Sequence, residues 1–288
     1  MSTLMRLFLT GASGRLGGAI LRRLAGSHEI VAPSHGALDL TDAAAVRAAV
    51  VSARPNWIIH TAAYNNVDEA EGAGARQAFL ANAYAPSLLA SVAVAVGART
   101  LHISTDYVFD GAKREGYVED DEPAPISAYG VSKYLGELAV RARDPRAVIV
   151  RTSRLYGPPA TSANAKRSFV EIVVDLATKS SSFAINREEV SAPTLVDDLA
   201  AHLDAYILRN SVVAPGIYHM ANTGGCTWEE WARAIVTMRG LHATVTPRDP
   251  TELKRPARRP AYSVLRSTKL PSMRTWEEAL RAFLLSKA

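Results

Sequence analysis

Tyr129 and Lys133 lie four residues apart in the run Ser127-Ala128-Tyr129-Gly130-Val131-Ser132-Lys133. On a helix, positions i and i+4 share one face. An ammonium beside a phenol stabilises phenolate, so the tyrosine pKa is expected to fall from about 10 toward working pH. A phenol tuned in this way can pass a proton to or from a substrate oxygen. Tyr-x-x-x-Lys is frequent by chance, and its weight here comes from context. Ser104-Thr105-Asp106 lies upstream, and a glycine-rich turn opens the chain. Alone, Ser-Thr-Asp is more often a strand-to-loop cap. Beside Tyr129 and Lys133, Thr105 is expected to donate to a carbonyl oxygen and to hold the phenol in line.

The elements needed to place these groups follow from periodicity. Met5 to Thr10 is a short apolar run, Glu29 to Ala32 a second strand, Ala37 to Leu40 a short third, Asn56 to His60 a fourth and Arg99 to Ser104 a fifth. Helical spacing covers Arg15 to Ala25, Thr41 to Ala53 behind a Thr-Asp cap, Gly74 to Val96 with a bend near Pro86, and Ser127 to Arg143. Ala147 to Arg151 is the next strand. This alternation predicts a Rossmann-type doubly wound α/β fold, a parallel sheet between helices. Beyond it the alternation weakens. Helices are expected over Lys166 to Thr178, Asp197 to Leu208, Thr227 to Met238 and Trp276 to Leu285, a strand over Gly216 to Met220, and loop from Pro247 to Thr268. The expected division is a dinucleotide-binding domain over 1–154, rejoined around 190–222, and a smaller substrate lobe from 155–189 and 223–288.

Thr10-Gly11-Ala12-Ser13-Gly14-Arg15-Leu16-Gly17 joins the first strand to the first helix. Gly11 allows a tight turn, Gly14 the approach of a pyrophosphate, and Gly17 close helix–strand packing. The helix N-terminus would face the phosphates. NAD-binding folds often carry an acid after the second strand for the ribose 2′-OH. Here the stretch is Val31-Ala32-Pro33-Ser34-His35, without one. Nothing there repels a 2′-phosphate, and Arg15, Ser34 and His35 would receive it. NADP is therefore expected, with NAD as the alternative. The cofactor set is Gly11, Ser13, Gly14, Arg15, Leu16, Gly17, Ser34, His35, Asp39, Leu40, Ala62, Ala63, Tyr64, Asn82, Tyr129 and Lys133. Asp39-Leu40 would lie near the adenine edge, and small residues after His60 would let the cofactor cross the strand tips.

The chain has 288 residues, of which 48% are hydrophobic and 21% charged, ordinary for a globular protein with a large core. One cysteine, Cys226, excludes an internal disulfide framework and a cysteine metal cage, and fits a reducing cytoplasm. The scattered histidines match no metal-ligand spacing. Gln77 to Ala98 lacks charge and is long enough to raise the question of a membrane span, but its Asn82, Tyr84, Pro86 and serines point to a helix buried on a sheet. Net charge is +5, with late basic residues Arg248, Lys254, Arg255, Arg258, Arg259, Arg266, Lys269 and Arg274. They form either a phosphate site or a solvated face. No nucleic-acid motif accompanies them.

Together, Thr-Gly-x-x-Gly-x-x-Gly, Ser104-Thr105-Asp106-Tyr107-Val108-Phe109 and Tyr-x-x-x-Lys resemble the extended short-chain dehydrogenase/reductases, and more narrowly the dTDP-4-dehydrorhamnose reductase family. Further matches are Val67-Asp68-Glu69-Ala70-Glu71, Arg151-Thr152-Ser153, Tyr156-Gly157, Ala192-Pro193-Thr194 with Asp198-Leu199-Ala200, Gly216-Ile217-Tyr218-His219, and Pro256-Ala257-Arg258-Arg259-Pro260 with Ser263. The resemblance implies reduction of the C4 ketone of a dTDP-linked 6-deoxy-4-ketohexose. In that scheme Tyr129 protonates the oxygen, Lys133 holds the nicotinamide ribose and Thr105 polarises the carbonyl. It implies a substrate set of Asp106, Val108, Arg154, Tyr156, Arg258, Arg259 and Tyr262, with Arg258 and Arg259 on the diphosphate. Related sugar-nucleotide dehydratases carry Asp-Glu after the threonine; Asp106-Tyr107 favours simple reduction.

The departures lie in the sugar pocket. The family's Arg-Thr-Ser-Trp is Arg151-Thr152-Ser153-Arg154 here, its Asp-Gln-x-Gly-x-Pro-Thr is Glu188-Glu189-Val190-Ser191-Ala192-Pro193-Thr194, and an asparagine before Ser263 is Tyr262. Such changes alter which substrate is held. The acid that supports a metal-assisted dimer in some members is Arg15, so a monomer or homodimer is expected without that metal. Two alternatives stand beside the sugar-nucleotide reductase: a ketoreductase of another substrate, and a non-catalytic NADP-binding regulatory subunit.

Overall fold

A computed structural model describes residues 4–162, 166–210, 212–249, 252 and 255–286. Five strands lead the chain order: β1 (Arg6–Thr10), β2 (Glu29–Val31), β3 (Trp57–His60), β4 (Arg99–Thr105) and β5 (Val148–Thr152). With the strand Gly216–His219 they form one six-stranded sheet. Its order runs Gly216–His219, β5, β4, β3, β1, β2, and all pairs are parallel. Both faces are covered, as the doubly wound expectation requires. Leu7, Leu9, Ile59, Leu101 and Val150 point to helices Arg15–Leu24 and Val196–Leu203. Phe8 and Ile58 point to Ala43–Ala53 and Ala85–Ala95. Alternate side chains go to opposite faces, so strands buried on both sides read as continuous apolar runs.

Asp42 caps the second helix by accepting from the Ala44 and Ala45 amides, and Ser127 caps Ala128–Arg143 through the Gly130 amide. The short strand expected over Ala37 to Leu40 is not formed. His35 to Ala37 make a turn, and Leu38 drops into the cluster around Phe8, Val46 and Val50. A single buried leucine in four residues anchors a turn as readily as a strand. The strands ending at His60 and Thr105 are therefore third and fourth in the chain.

The long helix is continuous over Ala75–Ala95, which by length and composition alone is apolar enough to cross a membrane. Its Leu89, Val92 and Ala93 instead bury against the sheet. A π-helical turn spans Leu80–Tyr84, just ahead of Pro86. That turn carries Asn82, and its widened backbone brings the Asn82 carbonyl against Gly136 of the neighbouring helix.

A second apolar cluster gathers Tyr156, Val173, Trp231, Ile235, Leu280 and Phe283. It draws on helices Phe169–Lys179, Trp228–Met238 and Trp276–Leu285, each started by a reciprocal cap at Ser168, Thr227 or Thr275. Its short ladders were not anticipated: Ser182–Ile185 with Thr244–Pro247, Val190–Ser191 with Cys226–Thr227, and Leu155–Tyr156 with Thr194–Leu195. Strands of two to four residues carry too little alternation to be read from a sequence.

A Cβ on Gly136 would overlap the Asn82 carbonyl oxygen, a backbone atom that cannot move aside. Gly136→Ala should therefore destabilise the protein by about 3 kcal/mol, the upper range of overpacking costs. A lower urea midpoint at unchanged slope checks this.

Candidate active site

The carboxyl ends of β1, β3, β4 and β5 open on one crevice. The chain leaves β1 for β2 on one side and returns to β3 on the other, and such a reversal is where parallel sheets bind ligands. Gly11 holds φ +76° there, and a Cβ would come within 2.6 Å of the Ala62 amide. Gly14 is the helix N-cap and supplies no side-chain hydrogen bond. The first amides of that helix therefore face the crevice without a side-chain cap, as a phosphate requires. Gly17 packs so closely on Gly11 that a side chain would overlap its carbonyl. The residues present fit a dinucleotide diphosphate.

Other members of the expected cofactor set have different duties. Arg15 donates to the carbonyls of Gly157 and Pro158 at 2.7 and 2.8 Å and of Lys166 at 3.0 Å. It ties the glycine turn to the chain after Tyr156 and is not held ready for a 2′-phosphate. The carbonyl of Ser13 accepts from the Thr161 and Ser162 amides in the same tie. Ser34 and His35 are exposed just past β2. Asp39 accepts from the amide and hydroxyl of Thr41, both at 2.8 Å, so it serves the turn before the second helix. The Leu16 side chain is buried under the sheet and Leu40 packs beside Phe8, leaving only their backbones for a ligand. Ala62 and Ala63 follow β3 with small, partly open side chains. The Asn82 side chain is fully buried. Its Oδ1 accepts from the Tyr64 amide at 2.9 Å, and its Nδ2 donates to the Tyr64 carbonyl and to Ser132 Oγ. Ser132 Oγ in turn donates to the Tyr129 carbonyl at 2.7 Å. Asn82 thus aligns the strand tip with the helix that carries the tyrosine.

Tyr129 and Lys133 share one face of helix Ala128–Arg143, whose first amide donates to Glu71 Oε1 at 2.8 Å. Tyr107 meets the Tyr129 ring edge-on at 5.7 Å. The expected fall of the phenol pKa is not found. Burial pushes it up to about 12, the Thr105 hydroxyl draws it back, and the Asp106 charge adds to the rise. The reason is where the ammonium lies. Lys133 Nζ donates to the Ile103 carbonyl at 2.6 Å, and its charge is not among the influences on the phenol. Burial in turn brings Lys133 down to about 8. Below it His60 and His102 stack with centroids 5.3 Å apart. Burial, with the Lys133 charge, holds His60 at about 3 and His102 well below its ordinary value.

Thr105 Oγ1 donates to Asp106 Oδ1 at 3.1 Å and accepts from the Tyr107 amide. Asp106 Oδ2 also accepts from Ser191 at 2.9 Å and Ser263 at 2.5 Å. Burial raises the Asp106 pKa, and these hydroxyls pull it back. Asp106 is therefore an internal acceptor for three hydroxyls, not an open substrate contact. Val108 is fully buried with Phe109, Tyr117 and Leu265, and Tyr156 lies between Trp231 and Phe283 in the second cluster. Neither side chain reaches the crevice; both entered the expected substrate set through the resemblance alone.

Arg154 has φ +41°, a left-handed conformation costly for any side chain. Its Nη1 donates to the Cys226 carbonyl and its Nη2 to that of Glu189, at 2.7 and 2.8 Å, and its guanidinium stacks 4.2 Å over Trp228. Trp228 Nε1 donates to Glu189 Oε2, and Arg255 pairs with Glu189 Oε1. Trp228, partly buried against the second cluster, therefore also backs this cation. Arg259 is held by Asp68 at 2.7 and 3.0 Å, while Arg258 is exposed. Tyr262 bridges to Val190, with Arg114 over its ring. Of the remaining late basic residues, Lys269 and Arg274 pair with Asp120 and Asp198, and Arg248 and Arg266 donate to carbonyls. Lys254 lies outside the described residues. Among the described residues no three His, Cys, Asp or Glu side chains gather as a metal set.

Comparison with known proteins matches this arrangement. The family described as the RmlD substrate binding domain matches residues 5–287. The chain belongs to this family. A probable dTDP-4,6-dihydroxy-2-methyloxan-3-one 4-ketoreductase of Streptomyces antibioticus is 39% identical over 96% of this chain and 94% of its own length. The dTDP-4-dehydrorhamnose reductase of Streptomyces griseus is 38% identical over 96% and 91%. Among solved structures, dTDP-4-dehydrorhamnose reductase from Bacillus anthracis in complex with NADP superposes with a TM-score of 0.92 at 34% identity, covering 99% of this chain and 100% of that one. The family match over residues 5–287 takes in both apolar clusters.

Replacing Ser191 and Ser263 together by alanine should cost about 3 kcal/mol at pH 7, because each hydroxyl bonds a buried carboxylate. Those donors favour the ionised form. The loss seen by urea unfolding should therefore shrink as pH falls and Asp106 takes up a proton.

Proposed function

We propose that the chain is an NADP-dependent ketoreductase of the short-chain dehydrogenase/reductase class. On this reading it reduces the C4 ketone of a dTDP-linked 6-deoxy sugar, and Tyr129 is the proton donor. The observation that carries it is the convergence of Thr105, Tyr129 and Lys133 beside a glycine turn whose helix amides lack a side-chain cap. The relatives' names supply the substrate class, and the NADP complex of the Bacillus anthracis protein supplies the cofactor. The segments around the second apolar cluster, 155–189 and 223–288, are the substrate lobe. A single, buried cysteine agrees with work in the reducing cytoplasm.

When bound, NADPH supplies the hydride that reduces the carbonyl carbon. Tyr129 gives its phenolic proton to the carbonyl oxygen, so the product is the alcohol and the enzyme is left as phenolate. Reduction requires a neutral phenol at the outset, and a pKa raised to about 12 keeps Tyr129 protonated throughout the physiological range. The Thr105 hydroxyl beside it aligns the same oxygen, with Asp106 fixing that hydroxyl's direction. Lys133 offers a buried cation at the strand end, where it would hold a ribose hydroxyl of the cofactor. Arg258 and Arg259 are the candidates for the diphosphate, with Arg259 exchanging Asp68 for phosphate.

The strained, clamped Arg154 favours a second reading of the substrate: a 4-keto sugar nucleotide other than dTDP-4-dehydrorhamnose. A guanidinium donates where the family's tryptophan offers only a ring and one N–H, and a site built to hydrogen-bond discriminates strongly.

NADPH oxidation across a panel of 4-keto sugar nucleotides tests the proposal. Tyr129→Phe should lower turnover by about 10²–10⁴-fold while leaving NADPH affinity nearly unchanged. Tight NADPH binding without turnover on any ketone would favour a regulatory subunit. The rate should be level below pH about 8 and fall above it, as Lys133 loses its proton. Arg154→Trp should shift the ratio of kcat/KM between dTDP-4-dehydrorhamnose and the preferred substrate by 10-fold or more toward the former.

A further inference from the structure

Beneath the catalytic pair lies a charged group that none of the chemistry above uses. Glu137 follows Lys133 by four residues on the same helix face and is 1% exposed. Its two oxygens receive Arg151 of β5 in a bidentate pair, Nε to Oε1 at 2.9 Å and Nη2 to Oε2 at 2.7 Å. Ser104 Oγ, from the strand end next to Thr105, adds a 2.5 Å bond to Oε1. Arg151 is itself fully buried and lies 5.0 Å over the Phe109 ring. An isolated buried ion pair is usually no better for stability than apolar residues of the same volume. This one sits one turn from a buried lysine whose only described hydrogen bond is to a neutral carbonyl.

We propose that Glu137 is a positioning residue of the active site: clamped by Arg151 and Ser104, its carboxylate keeps the Lys133 ammonium charged and seated at the end of β4 beside Tyr129. This rests on the reading of Tyr129 and Lys133 as the catalytic pair. The other groups that face Lys133 cannot take this part. His60 on β3 and His102 on β4 are neutral in the working range. Asn82, from the π-helical turn, carries no charge and is bonded to Tyr64 and Ser132. Tyr129 is a neutral phenol. Arg151 is a cation and would oppose the ammonium were Glu137 not between them in charge. Glu137 is the group whose field works against burial at Lys133. The fold seats it closely: Gly136 lets the helix turn that carries Lys133 and Glu137 approach the Asn82 carbonyl.

The test reads Lys133 directly. The full-length protein, labelled at lysine Cε with carbon-13, is titrated by NMR, and Lys133→Met assigns the resonance. The native midpoint should lie near 8. In Glu137→Gln it should fall by about one pH unit, the scale of one opposite charge a few ångströms away. Glu137→Gln leaves Arg151 buried without its partner and endangers folding, so Glu137→Gln with Arg151→Met, which removes both charges, is titrated beside it; its midpoint should fall in the same direction by less, because the opposing Arg151 charge leaves too. The alkaline limb of NADPH-dependent reduction should move down with the midpoint. A folded variant of either kind that titrates as the native protein does, with only its stability lowered, would overturn the proposal. A shifted midpoint in a protein that reduces no ketone would uphold it and count instead against the reductase assignment.

Discussion

Burial of the Lys133 ammonium between helix Ala128–Arg143 and the end of β4 is the constraint around which the crevice is built. A buried cation is costly, and the protein meets the cost with a carbonyl at 2.6 Å and a carboxylate one helical turn away. That carboxylate needs its own partners, which Arg151 and Ser104 provide. The histidines below must then stay neutral, because the nearby positive charge and their burial both disfavour protonation. One functional charge thereby sets the residue types on three adjacent strands. The same burial that makes Lys133 expensive makes Tyr129 a weak acid.

A second polar hub governs the other side of the crevice. Asp106 gathers hydroxyls from three distant parts of the chain: Thr105 on β4, Ser191 on a short strand and Ser263 after the proline- and arginine-rich stretch. The hub joins the sheet to the segments around the second apolar cluster and orients the Thr105 hydroxyl. Arg15 makes a parallel tie near the glycine turn, reaching three carbonyls beyond Tyr156. Asp68 and Arg259 make a third across the crevice mouth.

A further set of polar contacts surrounds Arg154. Arg154 accepts backbone strain to bring its guanidinium onto Trp228 and two carbonyls. Strain of this kind persists only where surrounding contacts overdetermine it. Glu189, with Asn186, Trp228 and Arg255 on its carboxylate, supplies that surrounding. Arg154 is therefore embedded in a network of directional contacts.

Glycine spacing, the alternation of apolar runs and the Tyr129–Lys133 interval were enough to specify the doubly wound sheet, the glycine turn after its first strand and the shared helix face of Tyr129 and Lys133, because each depends on neighbours within one or two turns of chain. The Thr-Asp cap before the second helix was legible for the same reason. What Arg15, Asp106, Tyr156 and Val108 do was decided only in three dimensions, since a motif says that a position matters and not whether its side chain faces ligand or core. The pKa of Tyr129 went the same way: a neighbouring ammonium argues for a fall, yet burial outweighs it once Lys133 turns to the Ile103 carbonyl. Glu137, Ser104 and Arg151 meet across separations of 14 and 33 residues, and no periodicity links a helix face to the strand that the folded sheet lays beneath it.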